Sequence, residues 1–224
     1  VLVVVITGAQ GYEMVKNSFF NWHYAKQAMP SVFQGLLLNL RVLIIAEFFV
    51  LVLGLLIAIA RTTTSPVLYP VRLVATIYTD LFRGLPLLLV LLLVGLGIPG
   101  LRISWIPNSA VVLGTVALVL TYSAYVAEVI RAGIEGVNPT QRQAARALGL
   151  TQSQTLEHVV LPQAFRNVTP PLLNDLVSLQ KDSGLISVLG AVDAIRAAGI
   201  QTAQSFNFTP YLVAGALFVL LTIP

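Results

Sequence analysis

Apolar residues occur in this chain as long stretches broken by short polar segments, and the stretch lengths point to a lipid solvent. Val42 to Ala60, Leu85 to Ile98, Ala110 to Ile130 and Tyr211 to the end are almost wholly apolar. A helix crossing a bilayer needs about 20 mostly apolar residues, within a range of about 17 to 25. Two stretches reach that length outright, and the others reach it with flanking residues or tilt. Val1 to Ile6 reads as the tail of an earlier span, and the chain stops at Pro224 within an apolar stretch, so both ends read as truncated.

The pattern between the stretches predicts the remaining elements. Thr7 to Pro30 is polar and rich in aromatics (Tyr12, Phe19, Phe20, Trp22, Tyr24), the chemistry of a membrane interface or of a solvated loop with a short amphipathic helix. Gln34 to Ala60 reads as a span, ended by Arg61 and the turn Thr62 to Pro66. Val67 to Phe82 is amphipathic and leads through Arg83-Gly84-Leu85-Pro86 into the next apolar run, with a kink expected at Pro86 because proline removes a helix hydrogen bond. Pro99 to Asn108 is a loop, with Trp105 as an interface anchor, and Ala110 to Ile130 spans again. Arg131 to His158 is polar, and Val159 to Leu179 is apolar but interrupted by Pro162, Pro170 and Pro171. Gln180 to Phe208 is mixed, and a last span starts near Thr209. The expected fold is an all-α polytopic membrane helix bundle of about five to six spans. It divides into residues 1–33, the tail of a first span and a polar extracytoplasmic segment, and residues 34–224, the transmembrane domain.

Composition agrees with the pattern. The chain is 57% hydrophobic and 10% charged, with a mean hydropathy of +0.87, whereas soluble domains carry about 25% charged residues. The net charge of +4 comes from singly dispersed basic residues without an aromatic-basic patch, which excludes a nucleic-acid binder. Those residues report topology instead. Arg61 and the group Arg131, Arg142 and Arg146 fall on one side, which the positive-inside rule makes cytoplasmic, while Lys16, Lys26 and Arg102 fall on the other.

The polar segment after Ile130 has the strongest local design. Asn138 suits an N-cap, Pro139 the first helical position, and Gln141 the third position of a capping box. Gly149 suits the left-handed position after a helix end, which predicts a helix over Pro139 to Leu148. On it Gln141, Ala144, Ala145 and Leu148 share a face, with Arg142 and Arg146 opposite. Thr151-Gln152-Ser153-Gln154 is a second capping box that starts another helix. Two capped helices at a corner outside the membrane make a rigid knob, suited to docking and to transmitting force.

Gln143-Ala144-Ala145, Gly149 and Val159-Val160-Leu161-Pro162 resemble the EAA motif of binding-protein-dependent ABC importer permeases: Glu-Ala-Ala, three residues, Gly, nine residues, Ile, any residue, Leu-Pro. The spacing is kept in full; Gln143 stands for the usual Glu and Val159 for the usual Ile. Phe82 to Pro86, Tyr125 to Arg131, Ala144 to Leu150 and Leu179 to Ser183 are similar to the branch that carries polar amino acids such as histidine, glutamine, glutamate and arginine. The resemblance covers Gln34 to Pro224. It implies a multi-pass subunit of the bacterial cell membrane that couples to its ATPase through a cytoplasmic loop of about 132–162, with Gln143, Ala144, Ala145, Leu148, Gly149 and Pro162 as the coupling residues. It further implies a second permease subunit (identical or different), two ATPase subunits holding ATP and magnesium, and an extracytoplasmic amino-acid-binding protein. Gln143 removes a charge that would pair with a basic group on the ATPase.

No cofactor, metal site or catalytic residue is expected on this chain. It lacks a Gly-rich loop ending in Gly-Lys-Ser/Thr and has neither HExxH nor cysteines, and His23 and His158 stand alone as structural or solvated residues. Polar and ionisable groups inside spans are candidates for a solute path, since insertion of each ion costs about 2.5–3.5 kcal/mol. Asn174, Ser178 and Lys181 are helically spaced, as are Asp175, Ser178 and Asp182, beyond an expected helix break at Pro170-Pro171. Lys181 and Asp182 read equally as outer-interface residues. Glu128 is a path candidate or the helical partner of Arg131, and Arg83 a path candidate or a guanidinium snorkelling to the interface. Glu47 lies mid-span without an evident partner; Asn39 and Arg41 lie about two turns earlier. Where the family often has Gln, this chain has Val90, which implies that a partner permease holds much of the solute. The alternative reading is an ion-coupled secondary transporter, but neither a coupling-ion site nor paired repeats are visible.

Overall fold

The structure is a computed structural model that describes residues 11–63, 65–103 and 106–223. The span tail Val1 to Ile6, the Trp105 anchor and the terminal Pro224 lie outside the described residues. The chain forms two compact units, one of Val1–Leu43 with Gln180–Pro224 and one of Ile44–Leu179. Two helices, α2 (Trp22–Thr62) and α8 (Leu161–Asp182), contribute to both.

In the first unit, α1 (Tyr12–Phe19) precedes α2 and is stapled to the segment before α10 (Thr209–Thr222). Phe19 stacks on Phe208 at 5.1 Å, Phe208 N donates to Ser18 O at 2.7 Å, and Asn21 N donates to Thr209 Oγ1 at 3.0 Å. Of the polar, aromatic stretch the described part is mostly helical, and α2 starts at Trp22 and passes through Pro30. Its 41 residues span about 60 Å at about 1.5 Å per residue, about twice the hydrocarbon thickness. One end of α2 must therefore project from the bilayer, and its polar N-terminal turns suit water. Ala25, Ala28, Val32 and Leu36 form a buried stripe against Ala194, Ala197 and Ala198 of α9 (Ala194–Ser205) and Val213 and Ala214 of α10. Small residues let these backbones approach closely, which is how helices gain contact energy where lipid offers no hydrophobic drive. Gly35 is the tightest point, since a Cβ there would meet the backbone of Asp193 and Ala194.

The second unit surrounds α5 (Ala110–Glu135). The remainder of α2, α3 (Tyr69–Gly84) and α4 (Leu87–Leu92, continued by a wide turn over Leu93–Gly97 and a short helix over Ile98–Gly100) pack beside it. Ile57, Ala58, Ala75 and Ala127 are buried together, and Tyr78 Oη donates to Leu120 O at 2.7 Å. Val90 is 1% exposed. The loop helices α6 (Pro139–Ala147) and α7 (Gln152–Thr155) follow.

Proline behaves differently at the two expected sites. At Leu85-Pro86 the helix ends and the chain turns through 107°. Leu85 is extended (ψ 137°) because the ring of the next residue disfavours its helical conformation. At Pro170-Pro171 the expected break is absent, and α8 continues through both. Ala164 and Val168 anchor its inner side, and Arg166 and Asn167, whose carbonyls the prolines cannot bond, are exposed. That helical run instead breaks beyond Leu189, where Gly190 takes φ +92° and the axis turns by 52° into α9. By length and composition two helices qualify as spans, each of the two bent pairs adds one, and α10 is a shorter apolar helix.

Candidate functional site

The knob between α5 and α8 is capped at nearly every end. Asn138 Oδ1 accepts from Thr140 N at 2.9 Å, so the cap closes on the second helical residue rather than as the box with Gln141. At the other end, Leu150 N donates to Ala145 O at 3.2 Å and Gly149 N to Arg146 O at 3.0 Å. Those two bonds form a Schellman motif, which Gly149 permits by taking φ +87° without a Cβ penalty. The Thr151 capping box is complete: Thr151 N donates to Gln154 Oε1 at 2.9 Å, and Gln154 N to Thr151 Oγ1 at 3.2 Å.

The orientation of α6 corrects the face read from its sequence. Ala145 is 4% exposed, whereas Leu148 is 82% exposed, so the two do not share an environment. Arg142, placed opposite, turns inward and donates from Nη2 to Ile134 O at 2.6 Å. Gln141, Gln143, Ala144, Arg146, Ala147 and Leu148 are exposed, and within α6 only Ala145 is buried. Val137, Val160 and Ala164 are buried beneath, and Val168 lies where a Cβ on Gly133 would collide with it. Pro162 is exposed near the start of α8. Helical backbone continues from Gln152 through a wide turn over Leu156–Val160 into α8, so the knob and the Asn174–Ser178 part of α8 lie on one continuous helical run.

Above the knob, Glu128 gathers three guanidinium groups. Arg61 Nη1 lies 2.6 Å from Oε2, Arg83 Nη1 3.7 Å from Oε2, and Arg131 Nη2 2.5 Å from Oε1. Arg131 also binds Glu135, and Arg83 sits over the ring of Tyr125 at 5.9 Å. The pairing of Glu128 with Arg131 was legible as an i, i+3 spacing. Arg61 was missed as a partner, although two opposite charges at adjacent ends of neighbouring spans were a usable signal.

The polar positions of α8 divide. Asn174, Ser178 and Lys181 are exposed, with Ser178 Oγ donating to Asn174 O at 2.9 Å. Asp175 and Asp182 are half-buried. Asp175 Oδ2 is buried without a hydrogen-bond partner, and its carboxyl lies within electrostatic reach of Glu47. Glu47 thus has a neighbour of its own sign. Asn39 is committed elsewhere: its Nδ2 donates to Ser183 O at 3.0 Å and Asp193 Oδ2 at 3.1 Å, and its Oδ1 accepts from Ala194 N at 3.1 Å. Asp193, which caps α9 by accepting from Arg196 N at 2.9 Å, escaped the sequence reading. An Asp three residues after Gly190 and immediately before an Ala-rich helix was its signal. Among the described residues no group of three His, Cys, Asp or Glu is placed to hold a metal.

The family model for the binding-protein-dependent transport system inner membrane component matches residues 52–224. The chain belongs to that family. It is 34% identical over 196 residues to the arginine transport system permease protein ArtQ of Bacillus subtilis, covering 87% of each. It is 38% identical over 204 residues to the putative glutamine transport system permease protein GlnP of Rickettsia conorii, covering 89% of this chain and 91% of that one. Among solved structures it resembles an amino acid ABC transporter with histidines, at TM-score 0.79 and 36% identity over 87% of this chain and 88% of that one. The fold is also that of the inward-facing MetNI methionine ABC transporter, at TM-score 0.68 and 18% identity over 87% and 90% of the two chains.

Proposed function

We propose that this chain is the membrane-spanning subunit of an ATP-driven importer of polar amino acids in the bacterial cell membrane. It forms part of the translocation path and leaves ATP hydrolysis, with its magnesium, to separate ATPase subunits. The observation that carries this reading is the continuous helical run from Gln152 into α8, which joins a capped cytoplasmic knob to the polar stripe at Asn174, Asp175 and Ser178. Gln143, Ala144, Ala145, Leu148, Gly149 and Pro162 belong to the knob that docks on the ATPase. Its partners are a second permease subunit, two ATPase subunits and an extracytoplasmic binding protein. Closure of the ATPases moves the knobs, and the two permease halves rock about a central site by alternating access. The relatives named for arginine and glutamine transport support an amino acid as the solute.

The solute chemistry follows from α8 and α2. Two carboxyl groups within reach of one another, Glu47 and Asp175, are poorly matched alone in a low-dielectric path and favour a cation between or beside them. An α-ammonium or a cationic side chain supplies it, and the exposed amide of Asn174 offers a donor for the α-carboxylate. Glu128 and Arg83 hold the cytoplasmic end of the helices, and Asp182 lies beside the polar stripe of α8. Reconstituting the chain with its ATPase and binding protein tests the reading. ATP hydrolysis should rise with binding protein plus one amino acid, and Gly149→Asp should abolish that rise in a folded complex. Transport driven by an ion gradient without any ATPase would establish a secondary transporter instead.

A further inference from the structure

Beside the exposed residues of α6, the knob holds a crevice of about 360 Å³ lined by Arg142, Arg146, Gln152, Thr155, Leu156 and Val160, of which Arg146, Gln152 and Leu156 are exposed. Its chemistry is divided. Val160 is buried and Leu156 is 47% exposed, so one wall is aliphatic; the other carries two guanidinium groups. Each guanidinium is only partly used by its own chain. Arg142 Nη2 donates to Ile134 O and Arg146 Nη1 to Leu150 O, while Arg142 Nε is buried and donates to nothing. The Thr155 hydroxyl is committed to Thr151 O at 2.9 Å. Glu157 and His158, the other ionisable residues of this stretch, are exposed and outside the lining. The crevice is therefore positive, contains no carboxylate, and has spare N–H donors above an aliphatic floor.

We infer that this crevice receives an acidic side chain, of the length of glutamate, from the ATPase subunit docked on the knob. The inference rests on the docking reading above and specifies the sign of the contact. With Gln143 in the first position of the motif, the knob has no carboxylate to offer a basic partner there; its charge is carried by Arg142 and Arg146. A glutamate's methylenes fit against Leu156 and Val160 while its carboxylate meets the guanidinium pair, a geometry that arginine forks recognise well. A basic docking residue would instead face two like charges.

The test is the affinity of the full-length permease for its purified ATPase, in nanodiscs with and without anionic lipid, across a potassium chloride titration. The inference expects binding that weakens with salt, and a loss of at least about tenfold for Arg146→Glu, with Arg146→Lys recovering most of it. Arg146 bonds only Leu150 O within the knob, so its substitution spares the fold better than that of Arg142; Arg146→Gln provides a milder second variant. Salt-independent binding that is equal for wild type and Arg146→Glu overturns the inference but leaves docking intact. If the effects of salt and of Arg146 appear only with anionic lipid, a lipid headgroup occupies the crevice and the inference is overturned. If wild type does not bind the ATPase at all, the docking reading falls and takes the inference with it.

Discussion

Glu128→Gln removes the carboxylate that three guanidinium groups share while keeping the volume of the side chain. The three lose unequal amounts. Arg131 retains Glu135, and Arg83, 40% exposed and 3.7 Å away, retains the ring of Tyr125. Arg61 loses most, because its side chain is only 11% exposed and its ion pair with Glu128 is 2.6 Å. An exposed pair contributes about 0–1 kcal/mol, whereas leaving a buried charge alone costs about 3–5 kcal/mol. At 21% exposure of Glu128, the substitution should cost about 2 kcal/mol, between those limits. For a chain of this size about 1 kcal/mol moves the melting temperature by about 2–4 °C, so the drop should be about 4–8 °C. Thermal unfolding of the chain in lipid nanodiscs, followed by tryptophan fluorescence, measures it. Arg61→Gln alone should cost nearly as much, and Arg83→Gln clearly less. The double variant Arg61→Gln with Glu128→Gln should cost less than the sum of the two, since the pair is lost only once. Strict additivity, or a melting temperature within about 1 °C of wild type for Glu128→Gln, would refute the idea that this carboxylate holds α2 to α5.

Three further substitutions probe separate parts of the chain. Thr151→Ala deletes one arm of the completed capping box and should cost about 1 kcal/mol locally, read as faster hydrogen exchange over Gln152 to Leu156 and weaker coupling of ATP hydrolysis to transport. Asn39→Leu strips hydrogen bonds from Ser183 O, Asp193 Oδ2 and Ala194 N in a site 1% exposed; leaving such groups unmatched should cost about 2–4 kcal/mol, visible as a lower melting temperature without a change in solute preference. Glu47→Gln and Asp175→Asn should each reduce uptake of cationic amino acids more than of neutral ones, and equal losses for both classes in competition uptake assays would remove these carboxyls from the solute path.

What was legible in the sequence was local in sequence. The caps at Asn138, Gly149 and Thr151 each act over three to five residues, so residue identity and spacing sufficed. The spans followed from run length alone. The missed contacts bridge distant positions: Arg61 reaches Glu128, and Asn39 reaches Asp193, across stretches for which spacing has no meaning. The prolines show a subtler limit. Pro86 ends its helix with Leu85 extended ahead of the ring, whereas Pro170 and Pro171 sit opposite an inner side held by Ala164 and Val168. Packing decides between those outcomes, and a single sequence shows the ring without showing the neighbours. The length of α2 was underestimated for a similar reason, since its polar N-terminal turns look like loop until Phe19 and Asn21 are seen clamped to Phe208 and Thr209.

Under the proposed importer mechanism, the course of α8 through its two prolines sets how force would pass from the knob to the polar stripe. If Pro170-Pro171 were a hinge, the knob would swing while the polar stripe stayed still; as a rod, the helix carries both together. The double variant Pro170→Ala with Pro171→Ala distinguishes them, because it restores two N–H donors, to the carbonyls of Arg166 and Asn167. Each proline costs a helix interior up to about 3 kcal/mol relative to alanine. Because the helix already tolerates both, only part of that is recoverable, and a rise of a few degrees in melting temperature is expected. Transport per ATP hydrolysed should be retained, since a rod made stiffer still moves as a rod. A more stable variant that hydrolyses ATP in response to binding protein yet no longer transports would show that α8 must flex at these prolines, and the lever would have to be abandoned.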